Sequence, residues 1–408
     1  MTETVSPDPR HAEMARALRR MRFLGSFAFG NVAAVRILQL DAAGVSATQI
    51  GLLMAGYSVV VAAVEIPSGA VADVFGRRRT KLIALAFLVA AFAVFAVVDD
   101  VVSSAVALTL LALGRALASG PMESWFVDEV GDANHPSVLG GLSSAEAAHN
   151  VGTALGAVTG GLLPWLLADS VDQVSVFGPV FLMAGLVLLA DLVITVRTMN
   201  ETVVPETGPV GGVWKTTFVG VRSTISGVVP RWVVAVLATY GAFNACVELL
   251  TPLGLSEGLG SDRAALWFGA IVAGAWLISA FTATRTPQLE GWAGSAARAA
   301  GLGTVAMVLL MLPAAFPFWA APVVAYVGLN TVGGPLLPLL ATIIHRHVDS
   351  ATRSTALSTL NLAFMAGATI GSGLVAVADR ASVLLVAAVA VVCGWGLLRA
   401  QQRVQAAG

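Results

Sequence analysis

The sequence predicts an all-α integral membrane protein whose twelve transmembrane helices form two pseudo-symmetric six-helix bundles. Three observations carry that reading. Only 12% of the 408 residues are charged while 57% are hydrophobic, whereas soluble domains average about 25% charged residues. Mean hydropathy is +0.83 over the whole chain, so the main solvent is lipid. The apolar residues also gather into about a dozen runs near the roughly 20 residues a helix needs to cross a hydrocarbon core of about 30 Å.

In order, the runs fall at about 21–40, 49–72, 80–98, 102–126, 143–168, 175–196, 232–254, 264–284, 296–315, 317–341, 354–377 and 381–399. Residues 1–20 are polar, lack a small-residue cleavage site and are expected to remain as a cytoplasmic tail. The one long connection, 197–231, is rich in Pro, Gly and Thr, and divides the spans six and six. Within it Trp214, Phe218, Val221 and Ile225 recur at helical spacing, which suits a short helix lying in the inner interface. The expected units are therefore a tail at 1–20, an N-terminal bundle at 21–196, a linker at 197–231, a C-terminal bundle at 232–399 and a tail at 400–408.

Lys and Arg set the orientation. With both termini in the cytoplasm, nearly all of the 23 cations fall inside, only Arg36, Arg263 and Arg380 fall outside, and Arg115 lies in mid-span. Few lysines beside abundant Ala, Gly, Val and Arg suggest a bacterial source, hence a bacterial inner membrane.

The halves echo one another. Gly114, Gly120 and Pro121 of span 4 recur at one constant offset as Gly328, Gly334 and Pro335 of span 10. Ser143, Asn150, Gly156 and Gly160 of span 5 recur at another as Ser354, Asn361, Gly367 and Gly371 of span 11. Two matches in the expected order imply a duplicated six-helix unit, and duplicated halves with a site at their interface are a transporter architecture.

Other classes are excluded. A net charge of -1 offers no basic surface for nucleic acid. Cys246 and Cys393 lie inside apolar spans and read as packing residues. No phosphate-binding Gly-x-x-x-x-Gly-Lys-Ser/Thr loop or His-Glu-x-x-His pair occurs, and His345 and His347 in "IIHRHVDS" read as part of a short inner loop. No enzyme activity, cofactor or metal is expected; the expected partners are a small-molecule substrate, protons and the bilayer, with the chain as a monomer.

Three motifs connect the chain to a known family. "GAVADVFGRRRTKL", with Gly69, Asp73, Gly76, Arg77 and Arg78, falls between spans 2 and 3 just after "EIPSG". It resembles the signature loop of the major facilitator superfamily, Gly-x-x-x-Asp-x-x-Gly-Arg-Arg/Lys-x-x-x-Leu. There the loop latches the two halves at the cytoplasmic side when the carrier faces out. Gly76 suits the tight turn, Gly69 close helix approach, and Asp73 with Arg77 charged contacts at the helix ends. Arg79 and Lys81, which the motif does not fix, are expected only to hold the loop inside. The equivalent place in the second half, "TATRTPQLEGWAGSAAR", keeps Arg285 but not the Asp or Gly. In span 5, "GTALGAVTGG" resembles the antiporter signature of the drug:proton-antiporter branch, with Ala157 replacing its Pro. Gly152, Gly156, Gly160 and Gly161 form a ridge on which a helix can pack closely, slide or rock. In span 4, Arg115 followed by Gly120 resembles the fourth-helix Arg–Gly motif, one residue wider than usual.

The resemblance implies that spans 1, 4, 7 and 10 line a central cavity. The substrate-facing candidates are then Phe27, Asn31, Ser119, Tyr240, Asn244, Tyr326 and Asn330, with Trp125 and Phe243 adding aromatic surface. Charges in mid-membrane are costly and need water or a partner. Tyr240, Asn244 and Glu248 share one helix face, and Glu248 lies at the depth of Arg36. Glu248 is either a carboxylate that loads and releases a proton or a permanent partner of Arg36 tying spans 1 and 7. Arg36, Arg115 and Glu123 are the further proton-coupling candidates. Glu65, Glu123, Asp128, Glu146 and His149 form an inner set that either caps helices or serves as a proton exit, while Asp191 in the peripheral span 6 is expected only to snorkel inward. The expected function is proton-coupled export of a drug-like or amphipathic organic molecule by alternating access. Two other readings fit the same features: a symporter or facilitator importing a sugar, organic acid or amino acid, and a non-transporting receptor or lipid-handling scaffold.

Overall fold

The computed structural model describes residues 9–118, 120–130, 135–170, 176–200, 222, 227–347 and 353–407, with the side chains at 9, 66, 69, 70, 73, 74, 135, 136, 139, 345, 347, 353–358 and 404–407 outside the description. Among the described residues fourteen α-helices follow one another: α1 (Pro9–Ala42), α2 (Ala47–Phe75), α3 (Arg77–Phe95), α4 (Val101–Ala118), α5 (Pro121–Val130), α6 (His135–Leu167), α7 (Gly178–Thr198), α8 (Val228–Leu259), α9 (Ser261–Ala283), α10 (Thr286–Ala293), α11 (Ala296–Met311), α12 (Ala321–His347), α13 (Arg353–Ala378) and α14 (Ser382–Ala407). Together α4 and α5 make the fourth crossing, α10 is a short connector, and every other helix crosses once, which gives the expected twelve. Length and apolarity alone select ten spanning segments. The difference has two causes: α3 opens on Arg77, Arg78, Arg79 and Lys81, and α13 and α14 merge into one apolar stretch, Thr359–Arg403.

Local chemistry sets the ends. Ser46 starts α2 with a capping box, its hydroxyl accepting from the Gln49 amide at 3.3 Å while Gln49 Oε1 accepts from the Ser46 amide at 2.9 Å. Asp100 caps α4 by accepting from the Ser103 amide at 2.7 Å, and these hydrogen bonds from Ser103 hold its carboxyl below the usual carboxylate range. Gly76, at φ 91°, turns the chain between α2 and α3 in a conformation that side chains resist.

Three boundaries differ from the sequence expectation. Helix α1 begins at Pro9, so much of the expected N-terminal tail is helical, and α14 continues to Ala407 through the expected C-terminal tail. The fourth crossing is broken at Gly120, where φ is 89°, and Pro121 restarts it as α5; a proline is well placed in a first turn because its missing N–H is not needed there. The interfacial helix expected at 214–225 lies, apart from residue 222, outside the described residues.

Within each half one helix pair is held by backbone contact. On α6, a Cβ at Gly152 would meet the Phe23 carbonyl of α1 at 2.6 Å, one at Gly156 the Phe27 carbonyl, and one at Gly160 the Asn31 carbonyl. On α13, a Cβ at Gly367 would meet the Ala238 carbonyl of α8 and one at Gly371 the Ala242 carbonyl. The repeated glycines thus perform the same packing in both halves. Gly114 and Gly328 repeat the pattern against side chains, on Leu88 of α3 and Leu310 of α11. Behind them, stacked Phe95 and Phe181 rings with centroids 4.9 Å apart tie α3 to α7.

The halves meet chiefly at one end, opposite the arginine-rich loops and called the outer end below. There Gly161 of α6 sits against the Ala265 carbonyl and Gly269 of α9, and a Cβ on Gly51 of α2 would fall 2.8 Å from Ala376 and 2.9 Å from the Ser372 carbonyl of α13. Ser256 of α8 adds a hydrogen bond to Asp41 of α1 at 3.5 Å.

This packing generates a paired test. Gly156→Val places a side chain where the α1 backbone lies, so thermal unfolding in detergent is expected at lower temperature, with a loss of about 1–3 kcal/mol. Gly56→Ala, where nothing lies within 4 Å of the added carbon, is expected to hold or raise stability, since Ala is favoured over Gly in a helix by about 1 kcal/mol.

Candidate functional site

Beneath the outer contacts and between the halves lies a cavity of about 490 Å³. Its lining runs from Met21 and Arg22 near the inner end of α1 to Arg36 and Ser372 under the outer seal. The two halves provide its walls because α1, α2 and α4 face α8, α9, α12 and α13 across it.

Charge in the cavity is arranged in pairs. Arg36 of α1 and Glu248 of α8 approach to 3.6 Å, with the carboxylate 40% exposed and the guanidinium 13%. Glu248 also accepts from Asn244 Nδ2, one turn earlier on α8, at 3.0 Å, as expected for residues four apart on one face. Nearer the inner end Arg22 reaches Glu123 at 2.9 Å and Glu146 at 3.5 Å. Arg115 lines the cavity from α4, its guanidinium 6.0 Å from the centroid of the Phe29 ring.

Of the expected substrate-facing residues, Tyr240, Asn244 and Tyr326 line the cavity and Ser119 lies outside the described residues. Three others are corrected. Asn31 is fully buried, donating to the Phe27 carbonyl at 2.8 Å and accepting from Thr159 at 3.0 Å, so it pins α1 to α6. Phe27 stacks on Phe23, centroids 6.1 Å apart, and Asn330 turns back to the Tyr326 carbonyl at 2.9 Å. Trp125 and Phe243 are buried in the bundle cores. Each sits on a cavity helix, but helix identity does not fix which face a residue occupies.

Among the glycines, Gly152, Gly156 and Gly160 hold α6 to α1 within its own half, and only Gly161 meets the other half. The ridge expected to slide is therefore largely a fixed seam. At the loop between α2 and α3, Arg77 pairs with Asp128 of α5 at 2.7 Å and Arg78 donates to the Val196 carbonyl of α7 at 2.7 Å. Both arginines are tied into the N-terminal half. The Asp73 side chain lies outside the description.

Sequence reasoning missed Tyr57, and the structure gives His149 and Glu65 of the expected inner set specific partners. The chain has three tyrosines, and Tyr57, Tyr240 and Tyr326 all line the cavity. That rarity was a usable signal. His149 shares a hydrogen bond of 2.6 Å with Ser26 and meets Trp276 of α9 edge-on at 5.7 Å, and Glu65 of α2 accepts from Asn361 of α13 at 2.6 Å. These last two contacts join the halves on the inner side through side chains alone. In the second-half loop, Glu290 on α10 pairs with Arg346 at 3.0 Å.

Lys81 and Asp191 depart furthest from expectation. Lys81 is no loop anchor and Asp191 does not snorkel: their side chains, 8% and 3% exposed, form an ion pair at 3.2 Å between α3 and α7. Thr195 and Met122 complete the surroundings, with Thr195 Oγ1 3.5 Å from the carboxylate and Met122 Sδ 3.4 Å from the ammonium. One carboxylate and one cation far apart in sequence carried no local pattern that would have paired them.

With fold and cavity defined, comparison places the chain. Residues 21–372 match the Major Facilitator Superfamily, and the chain belongs to that family. It is a secondary transporter rather than an enzyme. Similar solved structures include the nucleoside transporter NupG (12% identity, TM-score 0.73, covering 95% of this chain and 98% of that one). Others are a bacterial homologue of the human lysosomal transporter Spinster, inward-facing and unoccupied (16%, 0.70, 97% and 99%), and the peptide transporter POT in complex with sulfate (17%, 0.71, 96% and 95%). At these identities the likeness is one of fold. A search of curated proteins gives no match.

The buried pair makes a quantitative prediction. Lys81→Met leaves Asp191 buried without its partner and is expected to cost about 3–5 kcal/mol, whereas Lys81→Met combined with Asp191→Leu removes both charges and recovers most of that loss. Equilibrium unfolding of the two variants in mixed micelles checks the ordering.

Proposed function

We propose that this protein is a proton-coupled antiporter that exports an amphipathic organic molecule by alternating access. The observation that carries the reading is the ion pair of Arg36 and Glu248, because its partners belong to different halves and lie beside the cavity under the outer seal.

Rocking the halves apart at the outer end must separate α1 from α8, and so Arg36 from Glu248. Parted from its cation and then withdrawn from water, Glu248 takes a proton from the outer side and enters the membrane interior neutral, which avoids the cost of an isolated charge there. When the halves close again outside, Arg36 returns, the proton leaves through the cavity toward the inner side, and the carboxylate rejoins its pair. Substrate enters from the inner side in this second state and leaves in the first. The exchange is therefore one proton in for substrate out.

The remaining expectations take their place in this scheme. Arg115 is the second cation of the pathway, and Glu123, held by Arg22 at 2.9 Å, stands at its inner mouth. Asp73 is assigned the cytoplasmic latch, with Gly69, Gly76, Arg77 and Arg78 shaping its loop. A lining of Phe29, Met54, Trp276 and Phe364 around a few polar groups suits an apolar body with a polar head. We place the protein as a monomer in a bacterial inner membrane with both termini cytoplasmic, following the charge bias of the loops.

In everted and right-side-out vesicles, an imposed pH gradient is expected to drive labelled substrate against the proton flow. Glu248→Gln is expected to abolish that uphill transport while leaving substrate exchange at equal pH. Co-directional movement of proton and substrate would replace antiport by symport, and an unaltered response of Glu248→Gln would remove the carboxylate from the mechanism.

A further inference from the structure

Four cations line the cavity: Arg22, Arg36, Lys81 and Arg115. Three have carboxylate partners, namely Glu123 and Glu146 for Arg22, Glu248 for Arg36 and Asp191 for Lys81. Arg115 has no ion pair among the described residues. The carboxylates near enough to act on it electrostatically are Glu248 and Glu65, and each is engaged elsewhere, Glu248 by Arg36 and Asn244 and Glu65 by Asn361 at 2.6 Å. A guanidinium inside a membrane protein without a counter-ion is an expensive arrangement unless something supplies one.

Two further donors near it are also short of acceptors. Tyr57, on α2, is 8% exposed, and its hydroxyl, beside the Arg115 guanidinium, donates to no acceptor among the described residues. Arg36 Nε is buried and likewise without a partner among the described residues. Tyr57 joins the two arginines: the Arg36 guanidinium lies 5.7 Å from its ring centroid, and Tyr57 is the first of the groups that act on Arg115. Buried donors in native proteins are almost always satisfied, so a cluster of unsatisfied ones on residues that line a cavity describes the ligand that belongs there. It must bring acceptors and negative charge.

We infer that the cavity binds an organic anion, its carboxylate received by Arg115 and the Tyr57 hydroxyl and its apolar body lying against Trp276 and Phe364 of the second half. This rests on the transport reading of the same cavity and narrows its substrate class to amphipathic carboxylic acids. A planar guanidinium matches a carboxylate in two parallel hydrogen bonds, and Tyr57 supplies a third donor from the neighbouring helix. The bound anion also bridges the halves, since its head is held by the first and its body by the second.

The test compares matched acids and neutral amides: 4-phenylbutyrate with 4-phenylbutanamide, indole-3-acetate with its amide, and decanoate with decanamide, alongside the cation tetraphenylphosphonium. Binding is measured by titration calorimetry on the purified full-length protein. In at least one pair the acid is expected to bind about tenfold or more tightly than its amide, Arg115→Gln to erase that preference, and Tyr57→Phe to weaken the acid by about threefold. Arg115→Lys, which keeps the charge without the fork, is expected to retain part of it and guards against a folding defect in the glutamine variant. The inference is overturned if no pair shows an acid preference, if Arg115→Gln leaves one intact, or if tetraphenylphosphonium binds in place of the acids. Flux into proteoliposomes separates the two readings. Arg115-dependent acid binding without flux would end the transport reading and leave the anion site, whereas flux of neutral or cationic compounds alone would end the anion site and leave transport.

Discussion

Everything in this molecule hangs on glycines that let one helix backbone touch another. Between helices in lipid there is little hydrophobic force, so association depends on close van der Waals contact, and small residues permit the closest. Helix α6 lies on α1 through Gly152, Gly156 and Gly160, and α13 lies on α8 through Gly367 and Gly371. The seam is mutual, because Gly30 of α1 meets the Thr153 carbonyl of α6 and Gly241 of α8 meets the Phe364 carbonyl of α13. These two seams fix the depth and rotation of α1 and α8. Those are the helices that carry Arg36 and Glu248, so the geometry of the ion pair is inherited from the packing of glycines well away from it.

The contacts between the halves are of two kinds, and the difference has mechanical meaning. At the outer end the halves meet backbone to backbone, through Gly161 with Gly269 and Gly51 with Ser372. On the inner side they meet through the ends of side chains, Glu65 with Asn361 and His149 with Trp276. Side-chain contacts can be lost by rotamer changes, but a backbone seam opens only if whole helices move. Among the described residues the outer contact is therefore the one that needs whole helices to move before it can open.

Much of this was legible in the sequence because it is written in types and periods. Apolar run length specified twelve crossings, and the repeated glycines a duplication whose two copies form equivalent seams. What escaped had no period. The break at Gly120 needs φ, and the placing of Asn31, Phe27 and Asn330 away from the cavity lining depends on helix rotation. Lys81 looked like one more loop cation because it follows Arg77, Arg78 and Arg79, but one turn along α3 its side chain has entered the bundle. Tyr57 was overlooked because no motif names it, although three tyrosines in a chain this long was itself a cue.

The ion pairs differ in whether motion can break them. Lys81 and Asp191 stand on α3 and α7 of the same half, as do Arg22 with Glu123 and Arg77 with Asp128. When rigid halves rock, distances inside a half stay constant, so none of these pairs reports which way the cavity faces. They fix structure, and the nearly complete burial of Lys81 and Asp191 is tolerable because each charge stays with its partner. Arg36 with Glu248 is different, since its two members move with different bodies and its separation is a function of the conformational state. A protonatable group can be coupled to transport only if its surroundings change during the cycle. Glu248 meets that condition, as does Glu65 through its contact with Asn361 of the other half.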